Sequence, residues 1–350
     1  MTTTRLDPPP TDPTPIFEHF RGHLATELLT AAVAHLDVFG RLATGPVAFE
    51  DLRDALGLAE RPAVVLMTAL RAMGLVVEAD GRLAMSELAR NHLTPGGPFD
   101  VSGYVGLASQ SPGVLAMVER LRTDRPAGAE PSGAGAAFIY REGLPSAMER
   151  EASARSLTLA LAGRARNVAP VLADRVRLDG AKLLVDVGGG TGLYAIAFLQ
   201  RNPALRAIVW DRPEVLKVAA ELAGAHGVAD RLECRAGDMF ADPVPDGADV
   251  VLLSNVLHDW DVPACRALVG RCAAALGQGG RILIHDVFLD DDHDGPLPVA
   301  LYSAALFALT EGRAYSAAEY RGWLAEAGFE AGPIAPTLVH CGALEGVRAD

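Results

Sequence analysis

The sequence predicts an α/β protein: a mostly parallel sheet with helices on both faces, behind a mainly α N-terminal domain. Three observations carry this. From Lys182 onward, short Val/Ile/Leu runs alternate with helical segments, the pattern of a parallel sheet built from strand–helix–strand units. One of those runs, "KLLVDV", leads directly into "GGGTG". Before residue 176, apolar residues recur at helical rather than strand spacing.

The bulk numbers limit the function classes. A chain of 350 residues, half of them hydrophobic, is long enough for about two domains with sizeable cores. Thirty-one Lys and Arg against 44 Asp and Glu leave a formal charge of −13. Such a surface repels phosphate backbones, and 6 % aromatic residues offer little for base stacking. No nucleic-acid partner is expected. No apolar run reaches membrane-spanning length, so no membrane partner is expected either. Four cysteines lack the C-x-x-C spacing, and "MTTTRLDPPPTDPTP" lacks the pattern of a secretory signal, so a cytoplasmic location is expected.

In chain order, residues 1–15 are Pro/Thr-rich and expected to be a disordered tail. Residues 16–105 form the first domain. "HLATELLTAAVAHLDVFGRL", "FEDLRDALGL" and "RPAVVLMTALRAMGLV" are helices, the last with Pro62 in its first turn. "LVVEADGRLAMS" is a hairpin around Ala-Asp-Gly. Three helices and a hairpin make a winged-helix-like pattern. As a DNA reader its third helix is poor, offering only Arg61 and Arg71 as bases. Its apolar face is expected to pack on a second subunit in a homodimer. Residues 106–175 form a helical linker region expected to contribute to an acceptor pocket. "RPAGAEPSGAGAAF" is a loop, and a long helix runs from about Pro145 to Val176.

Residues 176–350 form the second domain. "KLLVDVGGG", "LRAIVWD", "DRLECRAGD", "ADVVLLSNV" and "GGRILIHDVFL" are its candidate strands. The first runs through Asp186 into Gly188, Gly189 and Gly190. Glycines at a strand–helix junction allow positive φ and let a ligand approach the backbone. The spacing is that of neither the NAD fingerprint nor a P-loop. The second strand ends in Asp211, about twenty residues on, where a carboxylate accepts from ribose hydroxyls. The third ends in "AGDMF": Asp238 is placed to accept from an exocyclic amine, with Met239 and Phe240 beside a flat ring. The fourth ends in Ser254 and Asn255. Polar groups at four successive strand ends face one crevice.

"LVDVGGGTG", "VWDRPEV", "GDMF", "LSNVLHDW", "GGRILIHD" and "EYRGWLAEAGF", spanning residues 182–330, resemble in that order the class I S-adenosylmethionine-dependent methyltransferases, and within them the small-molecule O-methyltransferases of caffeate and bacterial polyketide type. The resemblance implies a Rossmann-like seven-stranded sheet whose last strand, "HCGALEGV", is antiparallel, and an N-terminal winged-helix-like dimerisation domain. It implies O-methylation of a small-molecule acceptor in secondary metabolism, releasing S-adenosylhomocysteine. By it, Asp186, Gly188 and Gly190 belong to the cofactor loop, Asp211 holds the ribose, Asp238 and Met239 the adenine, and Ser254 the amino-acid end. Trp260 forms a wall beside the adenine, and Met148 lines the acceptor pocket.

It also implies that His258 is the general base and Asp286 its orienting acid. Imidazole suits proton transfer near neutral pH. Asp259, the nearer acid in sequence, is expected to cap the next helix. The sequence departs from the family pattern at "TEGRAYS", where Ala314 stands in place of a second glutamate and Glu311 lies three residues away. That departure keeps an alternative open: His258, Asp286 and His340 converging on a divalent metal that assists C-methylation of an α-keto acid. A third reading is a winged-helix regulator with a ligand-sensing domain. "DDDHDG" lacks the ligand spacing of a calcium loop.

Overall fold

The computed structural model describes residues 4–125 and 151–348. They divide into a helical unit, residues 16–125 and 289–316, and a sheet unit, residues 4–15, 151–288 and 317–348. The N-terminal elements are α1 (Thr14–Arg21), α2 (His23–Thr30), α3 (Val38–Leu42), α4 (Phe49–Leu56), α5 (Glu60–Ala72), the hairpin β1 (Val76–Ala79) and β2 (Arg82–Met85), then α6 (Glu87–His92), α7 (Ser102–Val105) and α8 (Pro112–Thr123). The predicted hairpin is present. Asp80 and Gly81 both have positive φ, which closes a two-residue turn whose twist matches the strands. A bridge from Val47 to Leu83 adds a third strand segment to this wing.

The chain then continues through α9 (Glu151–Arg175), β3 (Leu183–Val187), α10 (Leu193–Arg201), β4 (Arg206–Asp211), α11 (Pro213–Ala225), β5 (Leu232–Ala236), β6 (Val250–Ser254), α12 (Val262–Ala274) and β7 (Arg281–Leu289). It ends with α13 (Leu297–Leu309), β8 (Tyr315–Ser316), α14 (Ala317–Glu326), β9 (Phe329–Pro336) and β10 (Cys341–Arg348). The predicted loop around residues 126–138 and the predicted pocket residue Met148 lie outside the described residues.

Two expectations about packing change. The apolar face of α5 does not wait for a second subunit. Val65, Leu66 and Leu70 are buried in the helical unit's own core with Leu28, Met117 and Leu121. Nor does α13 belong with the sheet: Leu301, Ala304 and Phe307 complete that same core. Both arginines that could have read DNA are committed. Arg61 pairs with Asp124 at 2.6 Å, donates to the Thr310 carbonyl at 2.7 Å and lies over the Phe307 ring. Arg71 pairs with Glu78 at 3.1 Å. The winged-helix regulator reading loses its cationic contacts here.

In the sheet unit, seven strands follow the order β5-β4-β3-β6-β7-β10-β9. The five predicted strands are parallel, and β10 runs antiparallel to both β7 and β9. Parallel strands covered on both faces need continuous apolar runs, and β6, "VVLLS", is buried along its whole length. Because β3 leads to β4 on one side and β6 to β7 on the other, the order of strand succession reverses between the parallel strands β3 and β6. A crevice opens at such a point beyond the strand carboxyl ends.

Residues 4–15 are not the disordered tail expected from composition. Leu6 is buried, its N–H donates to Gln200 Oε1 at 2.8 Å, and its carbonyl accepts from Arg201 at 2.7 Å. The Thr4 carbonyl accepts from Gln200 and hydrogen-bonds His226 Nδ1, and Thr14 Oγ1 accepts from the Val339 N–H. One buried leucine and partners for its flanking carbonyls suffice to order a proline-rich segment that composition alone marks as free. Among the described residues, no helix is long and apolar enough to cross a membrane.

Gly237, just beyond β5, has no room for a side chain: a Cβ there would run into the buried Trp210 indole. Gly237→Ala is expected to cost about 1–3 kcal/mol through overpacking, measured as a lowered denaturant midpoint with unchanged m-value.

Candidate active site

The glycine loop leaves β3 with Gly188 at φ 62° and Gly190 at φ 57°. A side chain at Gly188 would meet Val256 at 3.0 Å, whereas at Gly190 only the Gly188 carbonyl comes within 4 Å. The loop backbone at Gly190 is therefore open to close approach. Its N–H donates to Asp211 Oδ2 at 2.8 Å, and the Arg212 N–H donates to Oδ1 at 2.7 Å. Burial raises the Asp211 carboxyl's pKa against these two bonds. A carboxylate has about four acceptor positions, so Asp211 anchors the loop and keeps capacity for ribose hydroxyls.

Asp186 is placed differently from expectation. It is fully buried beneath the loop, not in the crevice, with its Cγ 2.7 Å from where a Gly189 side chain would begin. Neither oxygen has a partner in hydrogen-bond geometry. Burial and then the Asp211 charge push its pKa up to about 8, against the nearby Ala195 N–H.

At the end of β5, Asp238 Oδ1 accepts from the Phe240 N–H at 2.8 Å, and Arg271 of α12 donates to the Met239 carbonyl at 3.0 Å. Phe240 meets Trp260 edge to face, with ring centroids 4.6 Å apart. The structure thus gathers Asp238, Met239, Phe240 and Trp260. A glycine cradle, an acid on the loop and two aromatic rings fit an adenosyl cofactor.

Ser254 is not turned toward the crevice as expected. Its hydroxyl hydrogen-bonds His285 Nδ1 at 2.8 Å and accepts from Asn255 at 3.1 Å. Asn255, at φ 56°, accepts from Arg164 of α9 at 2.6 Å and donates to the Tyr194 hydroxyl at 3.3 Å. Arg164 also donates to Cys341 Sγ, and His285 Nε2 meets Thr337 Oγ1. Burial, followed by the Arg164 charge, pushes the His285 pKa down to about 3, so this imidazole is neutral. Arg164, Tyr194 and Thr337 carried no motif signal, because their partners lie far away in sequence.

His258 sits in the single turn Leu257–Asp259 after β6, and Asp286 is on the neighbouring β7. The predicted pair forms: His258 Nδ1 donates to Asp286 Oδ1 at 2.5 Å, with both residues buried. Oδ1 also accepts from the Val287 N–H at 2.8 Å, and Oδ2 accepts from the Tyr320 hydroxyl at 3.2 Å. Asp259 does not cap the following helix. Asp261 does so, through the Ala264 N–H, while Asp259 lies 3.6 Å from His258 Nε2. At Ala314 the backbone N–H donates to Ser303 Oγ, and the methyl side chain supplies no acid.

Residues 141–330 match the O-methyltransferase domain family. The chain belongs to this family. The 3-hydroxy-5-methyl-1-naphthoate 3-O-methyltransferase of Streptomyces sahachiroi is 37 % identical over 90 % of this chain and 89 % of its own. The tetracenomycin polyketide synthesis 8-O-methyl transferase TcmO of Streptomyces glaucescens is 32 % identical over 85 % and 86 %. Among solved structures, an O-methyltransferase family 2 protein from Planctomyces limnophilus DSM 3776, in complex with apigenin, superposes with a TM-score of 0.91 at 50 % identity, covering all of both chains. This O-methyltransferase is an S-adenosylmethionine-dependent enzyme acting on a small metabolite.

The alternative metal site is not assembled in the O-methyltransferase. Asp286 Oδ1 is bound by the His258 imidazole itself, and His340 lies in the tight turn between β9 and β10. Among the described residues, no group of three or more His, Cys, Asp and Glu side chains could hold a metal ion.

Burial lowers the His258 pKa, but the Asp286 charge, the Asp259 charge and the hydrogen bond to Asp286 outweigh it, and the net direction is upward from 6.5. Asp286 is held below its usual range: burial opposes ionisation, and the His258 charge and hydrogen bond overcome it. If the neutral imidazole is the working form, turnover is lost as pH falls through this raised pKa. The acid limb of kcat against pH is expected to have its midpoint above 6.5, and a midpoint below that value would contradict the assignment.

Proposed function

We propose that the enzyme methylates a phenolic hydroxyl on a flavonoid- or polyketide-type ring, with His258 as general base and Asp286 as its orienting acid. The observation that carries this is the buried 2.5 Å contact between His258 Nδ1, just beyond the end of β6, and Asp286 Oδ1 within the neighbouring β7. With Nδ1 engaged, proton exchange with the acceptor falls to Nε2. The acceptor's hydroxyl proton passes to Nε2, and Asp286 stabilises the imidazolium that results. When bound, S-adenosylmethionine supplies an electrophilic methyl group on its sulfonium. Gly188, Gly190 and Asp211 would hold its methionine and ribose parts, and Asp238, Met239 and Trp260 its adenine. Burial around His258 excludes water, which would otherwise compete for the base.

The phenolic choice rests on the naphthoate and polyketide substrates named for the relatives and on apigenin in the superposing Planctomyces limnophilus structure. The test is a turnover screen with labelled cofactor against flavones, hydroxynaphthoates and α-keto acids. Transfer to phenols supports the proposal, and transfer only to the carbon of a keto acid overturns it. Protein treated with a chelator is expected to keep its turnover, because the proton is handled by imidazole and carboxylate. Loss of activity that returns on adding a divalent metal would contradict that.

Homodimerisation is part of this reading. Ile16, Phe20, Phe99, Tyr104 and Leu107 of the helical unit are largely exposed, up to 80 % for Tyr104, and apolar surface of this kind calls for a covering partner. Sedimentation at micromolar concentration should give the dimer mass, and a monomer mass would refute it. Four cysteines without paired spacing suit a reducing, cytoplasmic setting.

A further inference from the structure

We infer that Tyr320 is a positioning residue for the proton transfer, completing a buried His258–Asp286–Tyr320 relay in which a neutral phenol holds the carboxylate that holds the base. The inference rests on the assignment of His258 as general base. Its geometry is direct. Asp286 Oδ1 takes the His258 Nδ1–H at 2.5 Å and the Val287 N–H at 2.8 Å, and Oδ2 takes the Tyr320 hydroxyl at 3.2 Å. Asp286 and Tyr320 both have no exposed surface, so water cannot stand in for the hydroxyl. The ring itself is wedged. It meets Phe288 edge to face at 5.3 Å and Trp323 at 5.2 Å, so α14 delivers the hydroxyl from a fixed direction.

Two effects follow. A carboxylate bound through one oxygen can turn about its last bond, and a donor on the other oxygen stops that rotation and fixes the imidazole plane. The same donor draws charge away from Oδ1. Without it, more negative charge faces Nδ1, the imidazolium is favoured, and His258 titrates at higher pH. Among the described residues, Asp259, Arg164 and His285 also act on this pair. His285 stays neutral, and a change at Tyr320 leaves Asp259 and Arg164 in place. A neutral hydroxyl on the far side of Asp286 supports the base.

The test uses the full-length enzyme with a phenolic acceptor. Tyr320→Phe keeps the ring and removes only the hydroxyl. It is expected to lower kcat roughly tenfold, a fraction of what a general base contributes. KM for acceptor and cofactor should stay within about twofold of the parent, and the acid limb of kcat should move up by about half a pH unit. Placing 3-fluorotyrosine at Tyr320 strengthens the donor without changing the packing, and the acid limb should then move down. A Tyr320→Phe enzyme with parental kcat and pH profile overturns the inference. So does a fluorinated enzyme with an unshifted limb, which decides the matter alone if Tyr320→Phe does not fold. His258→Ala, run alongside, separates the two levels. Full turnover in that variant defeats the general-base assignment itself, whereas an inactive His258→Ala beside an unaffected Tyr320→Phe removes only Tyr320.

Discussion

Replacing His258 by alanine is expected to cut turnover by about 10²–10⁴-fold, the range a positioned general base contributes, while cofactor affinity stays close to the parent's. The separation follows from the architecture. His258 lies in the turn after β6, and its imidazole meets Asp286 and Asp259. The cofactor loop is tied instead to Asp211 of β4. Removing the imidazole also leaves Asp286 buried with one donor fewer, so some loss of stability should accompany the kinetic effect. Asp286→Asn tests the other half of the pair. It keeps the shape but not the charge that raises His258, so turnover should fall and the acid limb of its pH profile should move down. Measuring kcat, acceptor KM and cofactor Kd for both variants distinguishes a proton-transfer role from a binding role.

Asp211→Ala is expected to have its effect on the cofactor instead. Asp211 accepts from the Gly190 and Arg212 N–H groups, and by our reading it also accepts from the ribose. Hydrogen bonds to a charged acceptor are worth about 1.5 kcal/mol or more each. Losing two toward the ribose amounts to about 3 kcal/mol, or roughly a hundredfold in Kd. The freed Gly190 N–H would loosen the loop as well. Titration calorimetry with S-adenosylhomocysteine reads this directly, and unchanged affinity would remove Asp211 from the cofactor site. Asp211→Asn keeps one acceptor oxygen and should fall between parent and alanine variant.

The parts of the molecule legible in its sequence are those where local pattern and tertiary role coincide. Buried parallel strands must be continuously apolar, so β3, β4, β6 and β7 stand out, and the strand–glycine–helix junction after β3 announces a loop that a ligand approaches. His258 follows β6 and Asp286 lies on the neighbouring β7, which made their meeting foreseeable. Other features depend on contacts between distant residues. β9, "FEAGPIAP", holds Gly and Pro and is half exposed at the sheet edge, so neither alternation nor an apolar run marks it. The order in residues 4–15 hangs on Leu6 and on hydrogen-bond partners nearly 200 positions away. The Tyr320–Asp286 and Arg164–Asn255 contacts span 34 and 91 residues. Ser254 and Asp186 misled for a different reason. A polar side chain at a strand end can face the crevice or the interior, and the sequence does not distinguish a hydroxyl bound to His285 from one bound to a ligand.

The central claim is that His258 takes a proton from the acceptor, and the most direct measurement is the rate loss in His258→Ala across phenols of graded acidity at one pH. An acceptor already ionised in solution needs no base, so the account predicts a loss that is large for weakly acidic phenols and shrinks toward unity for ionised ones. An equal loss for ionised and un-ionised acceptors would contradict it and would assign His258 to binding or alignment.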